Sequence, residues 1–146
     1  MADINRTADV EWNGDLRGGN GKITTGSRAI QQQAYTFATR FENAPGTNPE
    51  ELIAAAHAAC FSMAFASALA KKGYQPEKIQ THATCIMTPK EGGGFRISKM
   101  RLETKGQVSG LDEATFKQIA EEAEKGCPVS GVLRPGLEIE LHASLA

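Results

Sequence analysis

The stretch from Thr47 to Gly73, TNPEELIAAAHAACFSMAFASALAKKG, constrains this chain more than any other. Asn48 is placed to cap a helix, Pro49 suits its first position, and Glu51 stands where the returning carboxylate of a capping box belongs. From Leu52 to Ala70 no side chain carries a formal charge, and nine of those nineteen residues are Ala. A helix apolar on every side has no face fit for water, so something must cover it. Nineteen uncharged residues have the length of a membrane span. Ala contributes little transfer energy, however, and His57, Ser62 and Ser67 interrupt the run, so cover by protein is the expectation. At 1.5 Å per residue the helix is about 35 Å long, a large object for one small domain to enclose. A second copy is therefore expected to supply part of the cover, with two such helices at the heart of a homodimer.

With 146 residues the chain is expected to form a single domain, residues 1–146, with a sizeable core. Sixteen basic and 17 acidic side chains are mixed along it, giving a net charge of −1, so neither nucleic acid nor an anionic membrane finds a footprint. The opening MADINRTADVEW has no apolar signal core, and the default location is the cytoplasm. Three cysteines, Cys60, Cys85 and Cys127, are too few and too widely spaced for a disulfide framework. Each is a question of chemistry before architecture.

Before the central helix, Thr7 to Trp12 and Lys22 to Thr25 read as strands joined by the glycine-rich GDLRGGNG. That turn lacks the Ser or Thr a phosphate-binding loop requires after its Lys and is read as a hairpin connection. Tyr35 to Phe41 reads as a third strand, with Arg40 at its exit. After Gly73, Lys78 to Met87 alternates, and a second long strand from Phe95 to about Val108 slips phase between Ile97 and Met100, the mark of a bulge. Asp112 caps a helix with an apolar stripe of Phe116, Ile119, Ala120 and Ala123. Pro128 opens a short further helix through about Leu133, and Leu137 to His142 alternates as a last strand. The order is three strands, helix, two strands, helix, strand, an α+β domain with mainly antiparallel sheet.

Cys60 lies in mid-helix among alanines, where a small buried hydrophobe is the ordinary role of a thiol. Cys127 stands at a Gly-Cys-Pro junction, where the start of the next helix favours a thiolate. Cys85, on an alternating strand face beside Met87, is assigned to the core. His57, one turn before Cys60, opens the alternatives of a nucleophile and base, two ligands of a metal with Cys127 as a third, or a satisfied polar group at the helix–sheet interface. His82 and His142 fall on outer strand faces. Glu50 has no structural task beyond favouring the helix dipole, and Arg40 is near enough to pair with it. A guanidinium held by one carboxylate presents its remaining donors to a thiolate.

The run RFENAPGTNPEELIAAAHAACFSMAFA, with GCPVSGVL from Gly126 and the opening EWNGDLRGGNGKI, resembles the OsmC/Ohr family, the osmotically inducible proteins and organic hydroperoxide reductases, and is nearer its OsmC branch. The resemblance covers nearly the whole chain. It implies a thiol peroxidase that reduces organic, lipid-type hydroperoxides to alcohols, without a bound cofactor or metal. It also implies an intertwined homodimer whose sheets wrap two long central helices, and a dithiol reductant of the lipoyl type. Carried over by residue, Cys60 would be the peroxidatic cysteine, Cys127 the resolving one, Glu50 the carboxylate and Arg40 the arginine, with Arg17 in the glycine-rich turn as its alternate. Phe61, Met63 and Phe65 are read first as core packing and second as the lining of a site for a greasy substrate tail. Ten helical residues separate Glu50 from Cys60 by about 15 Å, so a shared site needs either a bridging Arg or the carboxylate of a second copy. The rival readings are a peroxide sensor or binding protein without turnover, a Cys–His hydrolase and a structural protein with incidental thiols.

Overall fold

A computed structural model describes residues 1–146, which form two compact units, Met1–Leu52 and Ile53–Ala146. In the first, β1 (Ala8–Asn13), β2 (Asn20–Thr25) and β3 (Gln33–Thr36) make an antiparallel sheet in the order β1-β2-β3. The glycine-rich turn joins β1 to β2 as a hairpin connection, closed by the Asp15 carboxylate, which accepts from the Gly18 amide at 2.6 Å. The strand expected over Tyr35–Phe41 is cut short. Residues Phe37–Phe41 wind instead into a single-turn helix, α1. Thr36 and Thr39 cap it reciprocally, each hydroxyl accepting from the other's amide at 3.2 and 2.9 Å, a local signal that outweighs the β-prone composition.

The long helix α2 spans Pro49–Lys71. Asn48 caps it, its side-chain oxygen accepting from the Glu51 amide at 2.8 Å, while its amide group ties back to the Thr39 carbonyl at 3.1 Å. Glu51 differs from the capping-box expectation, for its carboxylate accepts from the Thr47 hydroxyl at 2.8 Å. Along α2, burial follows a helical stripe. His57, Phe61, Phe65 and Leu69 are buried at intervals of four, whereas Ala55, Ala59, Met63 and Ser67, on another face, are exposed. The helix is long and apolar enough to cross a membrane, yet one face is sealed into a core and only 22% of its most apolar stretch is covered by its own chain. The expectation of a helix its own domain cannot enclose holds for this chain.

In the second unit β4 (Pro76–Pro89) and β5 (Phe95–Val108) form a long antiparallel pair, and β6 (Glu138–Leu145) lies beside β5. The β5–β6 pairing is parallel, so this sheet is mixed. A parallel neighbour needs a crossover, which is supplied by α3 (Glu113–Gly126) and α4 (Pro128–Leu133). The phase slip appears where Ile86 faces Lys99 and Met87 faces Ile97, leaving Ser98 as the bulged residue. One face of the sheet joins α2 and α3 in a core of Phe61, Phe65, Leu69, Leu102, Phe116, Ile119, Ala120 and Ala123. The other carries the charged ladder of Lys99, Arg101 and Glu140.

Phe116 presses on β5 so closely that a side chain at Gly106 would meet its ring at 2.6 Å, while Gly126, at the end of α3, faces open space. Gly106→Ala is therefore expected to lower unfolding stability by about 1–3 kcal/mol through overpacking, with Gly126→Ala neutral or slightly stabilising. Urea titration of the two variants checks the contrast, and equal effects would contradict it.

Candidate active site

Helix α2 carries Cys60 into the second unit, and the junction of α3 with α4 presents Cys127 to it. Cys127 ends one helix and caps the next, Pro128 taking the first position of α4. It is 1% exposed, within the apolar core against which Cys60 packs. No disulfide joins the two cysteines, and both the Val129 amide and the Cys127 thiol lie close enough to act on the Cys60 sulfur. The start of α4 thus serves Cys60, where the spacing alone pointed to Cys127. Burial pushes the Cys60 thiol up from its ordinary value, the Val129 amide pulls it down, and the Cys127 thiol adds to the rise. Burial being the largest of these effects, the Cys60 surroundings within this chain disfavour the thiolate.

His57 does not face the thiols as a base. Its Nε2 lies 2.7 Å from the Ser130 hydroxyl, both side chains being fully buried, and its Nδ1 has no partner in the chain. No three His, Cys, Asp or Glu groups come together as a metal site. His57 is thus a buried polar group half-satisfied between two helices, α2 and α4, where a fully satisfied one at the helix–sheet interface was expected, and Ser130 is the partner that sequence reasoning left unassigned. Its signal lay in GCPVS, which puts a hydroxyl on the short helix just after Cys127.

In the first unit Arg40, at the end of α1, grips Glu50 in the first turn of α2. Its Nε donates to Oε1 and Oε2 at 2.9 and 3.2 Å and its Nη2 to Oε1 at 2.7 Å, leaving Nη1 outside the pair. Glu50 is 7% exposed, so its carboxylate is buried, while the Arg40 side chain that holds it stays 37% exposed. Arg17 has another task, stacking over the Phe37 ring at 4.9 Å. Cys85 lies on the β4 face opposite Met100. Phe61 and Phe65 are core residues, and Met63, 76% exposed, points outward, so the three do not line one pocket within this chain.

Residues 41–142 match the family model described as OsmC-like protein. Peroxiredoxin OsmC of Escherichia coli (strain K12) is 44% identical over 94% of this chain and 95% of its own length. The organic hydroperoxide resistance protein OhrB of Bacillus subtilis (strain 168) is 28% identical over 86% of this chain and 91% of its own. The crystal structure of the Bacillus subtilis protein superposes with a TM-score of 0.75 at 25% identity, covering 94% of this chain and 98% of that one.

Burial holds the His57 pKa below its ordinary value, the Glu124 carboxylate opposing and the Arg134 guanidinium assisting. Below about pH 6.5 the unfolded imidazole takes up a proton that the folded one refuses, so the unfolded state binds more protons and stability falls with pH. Between about pH 7 and 5.5 this loss is expected to reach at most about 1.4 kcal/mol per pH unit, and His57→Gln should remove it. Urea unfolding of both proteins across that range measures the slope, and an unchanged slope in the variant would refute the assignment.

Proposed function

The chain belongs to the OsmC family and is a thiol-dependent peroxidase, and we propose that it reduces organic, lipid-type hydroperoxides to alcohols with Cys60 as peroxidatic and Cys127 as resolving cysteine. The observation that carries this reading is that Cys60 packs against the apolar core holding the buried Cys127, so two cysteines from distant parts of the sequence meet in one place. The Cys60 thiolate attacks the terminal peroxide oxygen, the O–O bond breaks, and the alkoxide leaves as alcohol once protonated. Cys60 is then a sulfenic acid. The Cys127 thiol condenses with it, a sulfur–sulfur bond replaces the sulfur–oxygen bond, and water departs. An external dithiol, of which a lipoyl group is the type, restores both thiols by exchange.

A thiol held up by burial does not ionise readily, so the reaction calls for a cation at the sulfur. Arg40 is assigned that role, oriented by Glu50, whose grip leaves Nη1 for a thiolate or a peroxide oxygen. Because ten helical residues span about 15 Å, the pair that serves a given thiol is assigned to a second copy. The exposed stripe of Ala55, Ala59 and Met63, together with exposed Val10 and Leu16, supports a homodimer of this kind, with two α2 helices at its centre. The chain is assigned to the cytoplasm, where a cysteine pair that cycles between thiol and disulfide would find the reductants it needs.

Turnover with dihydrolipoamide is expected to favour cumene hydroperoxide over hydrogen peroxide, to vanish in Cys60→Ser and to fall sharply in Cys127→Ser. Arg40→Ala should lower kcat/KM on the order of 10²-fold, the scale of removing one donor from a developing anion. Steady-state assays of the purified proteins check all four. If folded, reduced wild-type protein shows no turnover with that reductant or with a simple dithiol, a peroxide sensor becomes the better reading. A fully active monomeric variant would exclude the shared site.

A further inference from the structure

The buried bond between α2 and α4 takes no part in the redox chemistry, yet it flanks both thiols. His57 lies one helical turn ahead of Cys60, and Ser130 lies on the short helix that Cys127 caps. An imidazole sealed in the core with Nδ1 unpartnered carries a desolvation cost that an apolar side chain of its size would not. Packing therefore does not account for the residue, and its contribution is the 2.7 Å bond to Ser130. Helix α4, meanwhile, has six residues and no side-chain cap hydrogen bond at Cys127, too little to fix its own position. The same helix presents the Val129 amide to Cys60.

We propose that the His57–Ser130 hydrogen bond is a positioning element that holds Cys127 beside Cys60 for disulfide formation, acting through the two helices without touching the peroxide. The inference rests on the reading of Cys60 and Cys127 given above. In the step it governs, the Cys127 sulfur bonds to the Cys60 sulfur, the sulfenic S–O bond breaks, and the hydroxyl leaves as water with the proton from the Cys127 thiol. That step competes with a second hydroperoxide molecule, which transfers an oxygen to the Cys60 sulfenic acid, giving sulfinic acid and another alcohol. Condensation within the chain depends on how well the two sulfurs are aligned, whereas attack on a further peroxide does not depend on Cys127 at all. Loosening α4 therefore shifts the partition toward sulfinic acid.

The test treats the reduced full-length protein with graded cumene hydroperoxide, then counts disulfide and Cys60 sulfinic acid by mass spectrometry after alkylation. Ser130→Ala and His57→Leu are expected to reach half-sulfinic Cys60 at roughly five- to tenfold lower peroxide than wild type, the scale of one net hydrogen bond. His57→Gln, whose amide can still bond the Ser130 hydroxyl, should recover part of that difference, which a merely looser core would not. Should Ser130→Ala fail to fold, the His57→Leu and His57→Gln pair reads the same quantity. Wild-type partition in Ser130→Ala and His57→Leu, or no recovery in His57→Gln, would overturn the inference. A wild-type protein that forms neither the Cys60–Cys127 disulfide nor Cys60 sulfinic acid at any peroxide concentration would overturn the peroxidase reading itself, an outcome visible before any variant is made.

Discussion

Everything in the second unit depends on how a nearly uncharged helix is covered. The face of α2 bearing Phe61, Phe65 and Leu69 is sealed by Leu102 of β5 and by the Phe116–Ala123 stripe of α3. Without that cover a helix of this composition would present apolar surface to water along its whole length. The same packing excludes water from the sulfur of Cys127 and shields that of Cys60. Burial that stabilises the fold therefore disfavours the ionised thiol. Stability and reactivity pull on one helix in opposite directions.

That helix was also the most legible part of the sequence, because its signals were redundant. A cap at Asn48, Pro at the first position, a run of nineteen uncharged residues and a Lys-Lys-Gly ending all agreed. The bulge at Ser98 and the α3–α4 junction at Cys127 were legible for the same reason, each being marked by a break in periodicity or by a Pro. What escaped was set by interactions too local or too distant for a pattern. The reciprocal Thr36–Thr39 cap turned a β-prone run into helix, since two hydrogen bonds decide a five-residue segment more strongly than composition does. The parallel placement of β6 is invisible in its alternation, which fixes a face and not a direction.

The candidate site divides in the same way. Cys60, Cys127, Arg40 and Glu50 were named through the family resemblance, while the Arg40–Glu50 pairing needed only a short turn to be foreseen. Ser130 was not nameable, although it stood inside a quoted motif. Its hydroxyl acquires meaning only when α4 folds back on α2 and meets a buried imidazole. Two polar groups far apart in sequence carry no mutual signature until the core that isolates them from water exists.

The crossover that makes β6 parallel to β5 has a consequence for how oxidation state is felt by the whole molecule. Cys60 precedes both β4 and β5, and Cys127 follows α3, so a bond between their sulfurs would enclose two strands and a helix in one covalent ring. Closing a ring of that size removes conformational freedom from the denatured chain worth about 4 kcal/mol in the chain-entropy model. If the proposed cycle runs through that bond, its oxidised form would resist unfolding better than the resting protein, and reductant supply would set not only the rate of the cycle but also the lifetime of the protein that runs it.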